Sequence, residues 1–137
     1  MRAWMSPLKA LAVALLFALP VFVPWSQRAA ASPPAIARVW HGRTPTAKAD
    51  EYAKVLGGAI TKFRTIPGNL GYQMMRETIG GETHFMVISY WTSRDAIHAY
   101  AGADIRKTRN LPRDPEFLID PEQTVMNYDL VVDTASR

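Results

Sequence analysis

The chain has 137 residues, and its 48% hydrophobic and 20% charged side chains suit a folded domain rather than a disordered tract. It contains no cysteine, which excludes disulfides, thiolate catalysis and cysteine-based metal sites. Setting residues 1–31 aside leaves thirteen basic and twelve acidic side chains, so the formal charge falls from +4 to +1 and offers no electrostatic footprint for nucleic acid.

Residues 1–31 read as a cleavable signal peptide. Arg2 and Lys9 make a charged start, Ala10 to Val23 is apolar throughout, and Ala29, Ala30 and Ala31 give the small residues a signal peptidase needs. The apolar run is shorter than the roughly 20 residues of a membrane-spanning helix and contains Pro20. Cleavage near Ala31, with export to the periplasm or beyond, is therefore expected; an uncleaved anchor is the second reading and the only membrane contact foreseen.

One domain is expected over residues 35–132. Ala35 to His41 has strand character, with Ile36 and Trp40 on one face and Ala37, Val39 and His41 on the other. Gly42 should stop it, and Thr44 followed by Pro45 reads as a helix start, a hydroxyl cap and then a proline at the first turn. Tyr52, Val55, Leu56, Ala59, Ile60 and Phe63 recur at helical spacing as one apolar stripe. Gly57 and Gly58 weaken that helix and mark a kink or an early end.

Pro67, Gly68 and Asn69 signal a turn. Tyr72 to Thr78 and His84 to Trp91 then form two strands joined at Gly80 and Gly81. Thr92 or Ser93 caps a second helix with Ile97, Tyr100 or Ala101, and Ile105 inward, and the basic run Arg106, Lys107, Arg109, Arg113 reads as its solvated end. A proline-bearing loop from Leu111 to Pro121 leads to a last strand, Thr124 to Val132. The order β-α-β-β-α-β is the ferredoxin-like α+β arrangement, a four-stranded antiparallel sheet with helices on one face. Its other face, apolar in part, calls for a partner, and an identical copy in a homodimer is the simplest one.

The stretches IARVWHGRTPTAKADEY, PGNLGYQMMR and THFMVISYWTSRDAIHAYAGADI together resemble the antibiotic biosynthesis monooxygenase-like domain of the dimeric α+β barrel superfamily. The resemblance implies two sheets packed back to back and a pocket in each protomer between sheet and helices. It implies no single reaction, since the superfamily holds cofactor-independent oxygenases of phenols and quinols, heme-degrading enzymes and members without known chemistry. It also implies a pocket tryptophan at the end of the third strand, here Trp91, and in heme degraders a histidine iron ligand late in the second helical region, where this chain has Asn110.

The candidate catalytic residues are thus Trp91, able to stack on an aromatic molecule and donate one N–H, and His41, a possible general base beside Gly42. Tyr72, Tyr90 and Tyr100 are candidates for substrate binding, and Met74, Met75 and Met86 for an adaptable apolar lining. Each has a structural reading beside it: Trp91 as a core anchor of the second helix, His41 as an edge histidine bonded to a carbonyl, the methionines as plain core. His84 and His98 are expected at the surface, and the histidine spacing matches no metal motif. No cofactor or metal is expected. The ligand class is a small hydrophobic or aromatic molecule, taken either by a cofactor-independent monooxygenase or by a non-catalytic binding or dimerisation module; heme degradation is disfavoured.

Overall fold

Alternation along the first strand decides what the sheet can bury. In the computed structural model, which describes residues 36–131, strand β1 (Ile36–Pro45) turns Ile36, Arg38 and Trp40 towards the helices and Ala37, Val39 and His41 away from them. The signal segment at residues 1–31, Ala35 and Val132 lie outside the described residues.

The strand does not stop at Gly42. Thr44 and Pro45 pair with Thr83 and Glu82, and the Thr46 amide donates to the Gly81 carbonyl at 2.9 Å. Sheet pairing therefore takes the residues that local chemistry marks as a helix cap, and the Thr44 hydroxyl is buried without a partner among the described residues. A 3-10 turn at Thr46–Lys48 then leads into helix α1 (Ala49–Ile60).

Helix α1 buries Tyr52, Leu56 and Ile60 and runs through Gly57 and Gly58 without ending at them. It tightens instead into a 3-10 segment, Thr61–Thr65, which carries the stripe on to a buried Phe63. The Thr61 hydroxyl donates back to the Gly58 carbonyl at 2.7 Å, giving an orphan carbonyl at the helix end a partner.

Strands β2 (Asn69–Ile79) and β3 (Glu82–Trp91) form the expected hairpin, each longer than its apolar run. Burial along β3 alternates residue by residue, with Thr83, Phe85, Val87, Ser89 and Trp91 buried on the helix side. Helix α2 (Arg94–Ala101) starts at Ser93, whose hydroxyl accepts from the Ala96 amide at 3.1 Å. It ends early at Gly102, whose φ of 84° is costly for any residue with a Cβ. Ile105 thus falls beyond the helix. The basic run is no helix end: Lys107 bridges to Thr124, and Arg113 pairs with Glu51 and Glu116.

Strand β4 (Met126–Asp129) is shorter than the expected Thr124 to Val132 and pairs with β1. The sheet order is β2-β3-β1-β4, antiparallel throughout, the ferredoxin-like α+β fold. Its core joins Tyr52, Leu56, Phe63, Phe85, Trp91 and Ile97. The opposite face, uncovered by helices, carries Val39, Met75, Met86, Ile88, Met126 and Tyr128. Among the described residues no helix is long and apolar enough to cross a membrane.

Candidate functional site

Between the sheet and the α1 side of the core lies a cavity of about 330 Å³, within the range of small-molecule sites. Strand alternation aims Arg38 and Trp40 from β1 and Val87 and Ser89 from β3 into it, while Leu56 and Phe63 close it from the helical side. Tyr100 enters from α2, and Arg109 and Asp114 from the loop that follows.

The Trp40 indole lies along the strand over its second neighbour. A Cβ on Gly42 would stand 2.3 Å from the ring's far edge and 3.0 Å from Leu118, so a side chain there would force the indole to move. The tripeptide Trp40-His41-Gly42 is therefore one unit: the glycine makes room, the indole walls the cavity, and the histidine between them points to the other face.

Tyr100 is held by aromatic packing. Its ring stacks on Trp91 at 6.1 Å between centroids with 21° between planes, and Phe63 meets it edge-on at 4.9 Å. Two guanidinium groups lie near the same ring, Arg38 at 5.8 Å and Arg109 at 6.0 Å from the centroid. Burial raises the Tyr100 phenol above its usual value, against the two arginines.

Arg38 is only 4% exposed. It donates to the Ile105 carbonyl, to the Lys107 carbonyl at 3.0 Å and to Asn127 Oδ1 at 3.2 Å, fastening the 105–107 loop across the sheet edge. Burial, and then the like charge of Arg109, lower its pKa, while Tyr100 and Asp104 oppose that shift. The cavity's one carboxylate among the described residues, Asp114, is already engaged: Oδ1 accepts from the Tyr52 hydroxyl at 2.9 Å and Oδ2 from the Leu111 amide at 2.7 Å.

Of the candidate catalytic and substrate-binding residues read from the sequence, only Tyr100 lines this cavity. Trp91 is 0% exposed; its Nε1 donates to Ser89 Oγ at 2.9 Å, so it positions Tyr100 and Ser89 from behind the wall. Tyr72 is half-buried and approaches through an edge contact with Phe63. His41 and Tyr90 lie on the opposite face, His41 3.6 Å from Glu122 and Tyr90 bonded to Gln73. Met75 and Met86 share that face, and Met74 is exposed beside α1. His98 is exposed, bonded to the Gly102 carbonyl, and Asn110 is exposed in the loop, beyond any helix.

Sequence reasoning passed over Arg38, Trp40 and Ser89 as site residues, and read Arg109 as part of a solvated helix end rather than a phosphate-binding cluster. One signal was there: Trp40 and Ile36 share a face, so alternation commits Arg38 to it, and a charge at an inward strand position is the kind of anomaly that marks a site. Arg109 had no such signal, since its place depends on where α2 ends. Among the described residues no cluster of histidine and acidic side chains could hold a metal ion.

The sequence profile described as antibiotic biosynthesis monooxygenase matches residues 37–108. No curated protein matches the chain. Solved structures of similar fold include a protein of unknown function from Nitrosomonas europaea, with 12% identity, 76% of this chain and 96% of that one covered, and a TM-score of 0.56. A proposed antibiotic biosynthesis monooxygenase from Bacillus cereus has 10% identity, covers 76% and 100%, and scores 0.54. A heme-degrading protein from Mycobacterium tuberculosis has 22% identity, covers 73% and 99%, and scores 0.51. At these identities the likeness is one of fold.

Proposed function

The chain belongs to the antibiotic biosynthesis monooxygenase family, and on that premise we propose that it is an exported, cofactor-independent monooxygenase of a small aromatic, phenolic or quinol substrate. The observation that carries this reading is the cavity itself. It is largely apolar, has two aromatic walls in Trp40 and Tyr100, and holds a buried hydroxyl, Ser89, whose oxygen already accepts the Trp91 N–H. Because an indole N–H only donates, the Ser89 proton is left to donate in turn, and it finds no acceptor among the described residues.

In this reading a phenol lies between the Trp40 and Tyr100 rings with its oxygen at Ser89. Loss of the hydroxyl proton to solvent gives an electron-rich phenolate, stabilised by the Ser89 donor. Dioxygen adds at a ring carbon and the O–O bond breaks. One oxygen stays as the quinone carbonyl; the other leaves as water with the hydroxyl proton and the ring hydrogen. The substrate supplies every electron, so the protein has only to bind, orient and stabilise. The described histidines all lie away from the cavity, which argues against a histidine-held heme there.

Residues 1–31 would direct export, and the bare sheet face would pair two copies about a two-fold axis. Oxygen uptake by the purified protein over a panel of quinols and phenols tests the activity. We expect uptake above the uncatalysed rate, falling at least about tenfold in Trp40→Leu, as expected when a positioning contact is lost. Binding of the same compounds with no uptake would favour a non-catalytic module and overturn the enzyme reading.

A further inference from the structure

We propose that the cavity selects an aromatic carboxylate, its ring against Tyr100 and Trp40 and its carboxylate held by Arg38 and Arg109. This rests on the cavity being the ligand site proposed above and adds what the ligand's chemistry must be.

Charge is the first observation. Arg38, Arg109 and Lys62 face the cavity and Asp114 is the opposing carboxylate among the described residues, with each of its oxygens already accepting a hydrogen bond. Arg43, Arg76, Arg94 and Arg113 each pair with a carboxylate, whereas neither arginine over the Tyr100 ring has one within salt-bridge distance among the described residues. A buried cation without a counter-charge is costly, and a second cation near the same ring adds repulsion. An anion in the cavity would relieve both.

Donor count is the second. A guanidinium has five N–H groups, and the bonds of Arg38 to Ile105, Lys107 and Asn127 use three of them. With the rest of Arg38, the Ser89 hydroxyl, Arg109 and Lys62, the polar groups of the cavity are mainly donors, the Tyr100 hydroxyl being able to act either way, which suits a ligand rich in acceptors. A planar carboxylate matches the guanidinium fork, and a flat ring suits the stacked aromatic wall behind it.

The test is calorimetric titration of the full chain with 1-naphthoate, with the uncharged isostere 1-naphthamide and with 1-naphthol, at neutral pH and low salt. We expect naphthoate to bind about tenfold tighter than the amide, the size of one charge-assisted hydrogen bond, with an advantage that shrinks as salt rises. Arg109 is exposed and bonds no other described side chain, so its replacement breaks no such bond; Arg109→Gln should lower naphthoate affinity several-fold and leave the amide unchanged. Equal binding of naphthoate and amide, or an equal loss of both in the variant, would overturn the carboxylate assignment while leaving an aromatic site standing. Tighter binding of naphthol would overturn it in favour of a phenol at the arginines. Failure of all three probes to bind would overturn the ligand site itself, and with it this inference.

Discussion

Tyr52 is fully buried and gives its hydroxyl proton to Asp114 Oδ1, beneath Phe117, whose ring lies 5.2 Å away. Burial first, then the Asp114 charge and hydrogen bond, hold this phenol far above its ordinary value of 10.0. In the unfolded chain it ionises near that ordinary value, so above it the unfolded state binds fewer protons than the folded one. Stability from this group is therefore fully present below about pH 10 and lost as pH rises beyond it, by at most about 1.4 kcal/mol per pH unit. Urea denaturation between pH 8 and pH 11 should show the decline, and Tyr52→Phe should make it shallower. That variant should also be less stable at neutral pH by about 1–3 kcal/mol, because a buried carboxylate oxygen loses its donor. An identical alkaline slope in both proteins would show that Tyr52 is not so held. The residue scale is also where the sequence was least legible: Trp91 and Trp40 are both inward by alternation, and which one meets a cavity depends on the Gly42 gap and on how closely Tyr100 covers Trp91, neither of which is a local property.

The elements were legible wherever period and cap agree. Alternation in β3 and the Gly80-Gly81 turn place the hairpin, and the hydroxyls of Thr92 and Ser93 before a helical run mark the start of α2; of the two it is Ser93 that accepts from Ala96. Ser93→Ala should lower stability by about 1 kcal/mol, read as a shift of the urea midpoint with an unchanged slope. A smaller effect would mean that tertiary packing alone fixes the start of α2. Legibility failed where tertiary bonds override local preference. Thr44 and Pro45 look like a helix start, yet β3 pairs with them to the last residue. Arg106 to Arg113 looks like a helix end, yet α2 closes at Gly102, and the loop beyond it is tied down by Arg38 and by the amide of Val125, which donates to the Arg106 carbonyl at 2.7 Å. That early closure puts Arg109 over Tyr100, so an error in one helix boundary hides half of the proposed anion site.

At the scale of the whole molecule the two faces of one sheet divide the work, the helix-covered face enclosing the cavity and the other presenting apolar side chains outward. Met75, Met126 and Tyr128 are 43%, 44% and 50% exposed, whereas Val125 on the covered side is 3% exposed. Along β1, β3 and β2 the outward row runs through Val39, Ile88 and Gln73, and the next through His41, Met86 and Met75. A contiguous strip of this kind fits a second copy related by a two-fold axis, which lays each strip on its own likeness; this is the dimer proposed above. An aspartate on the strip would bury an unpaired carboxylate in that contact and cost several kcal/mol. Tyr128→Asp is the cleaner choice, because Arg106 lies 4.0 Å from the Met126 sulfur and would pair with a carboxylate placed there. Light scattering after size exclusion should show a dimer for the unmodified protein and a folded monomer for Tyr128→Asp. Val125→Asp should instead lower the thermal midpoint without a folded monomer, since its carboxylate would enter the core of each protomer. The contrast identifies the face, because two charges on either side of one short strand would act on assembly in one case and on folding in the other. A monomer for the unmodified protein at micromolar concentration would sink the idea, and the bare face would then need a different partner.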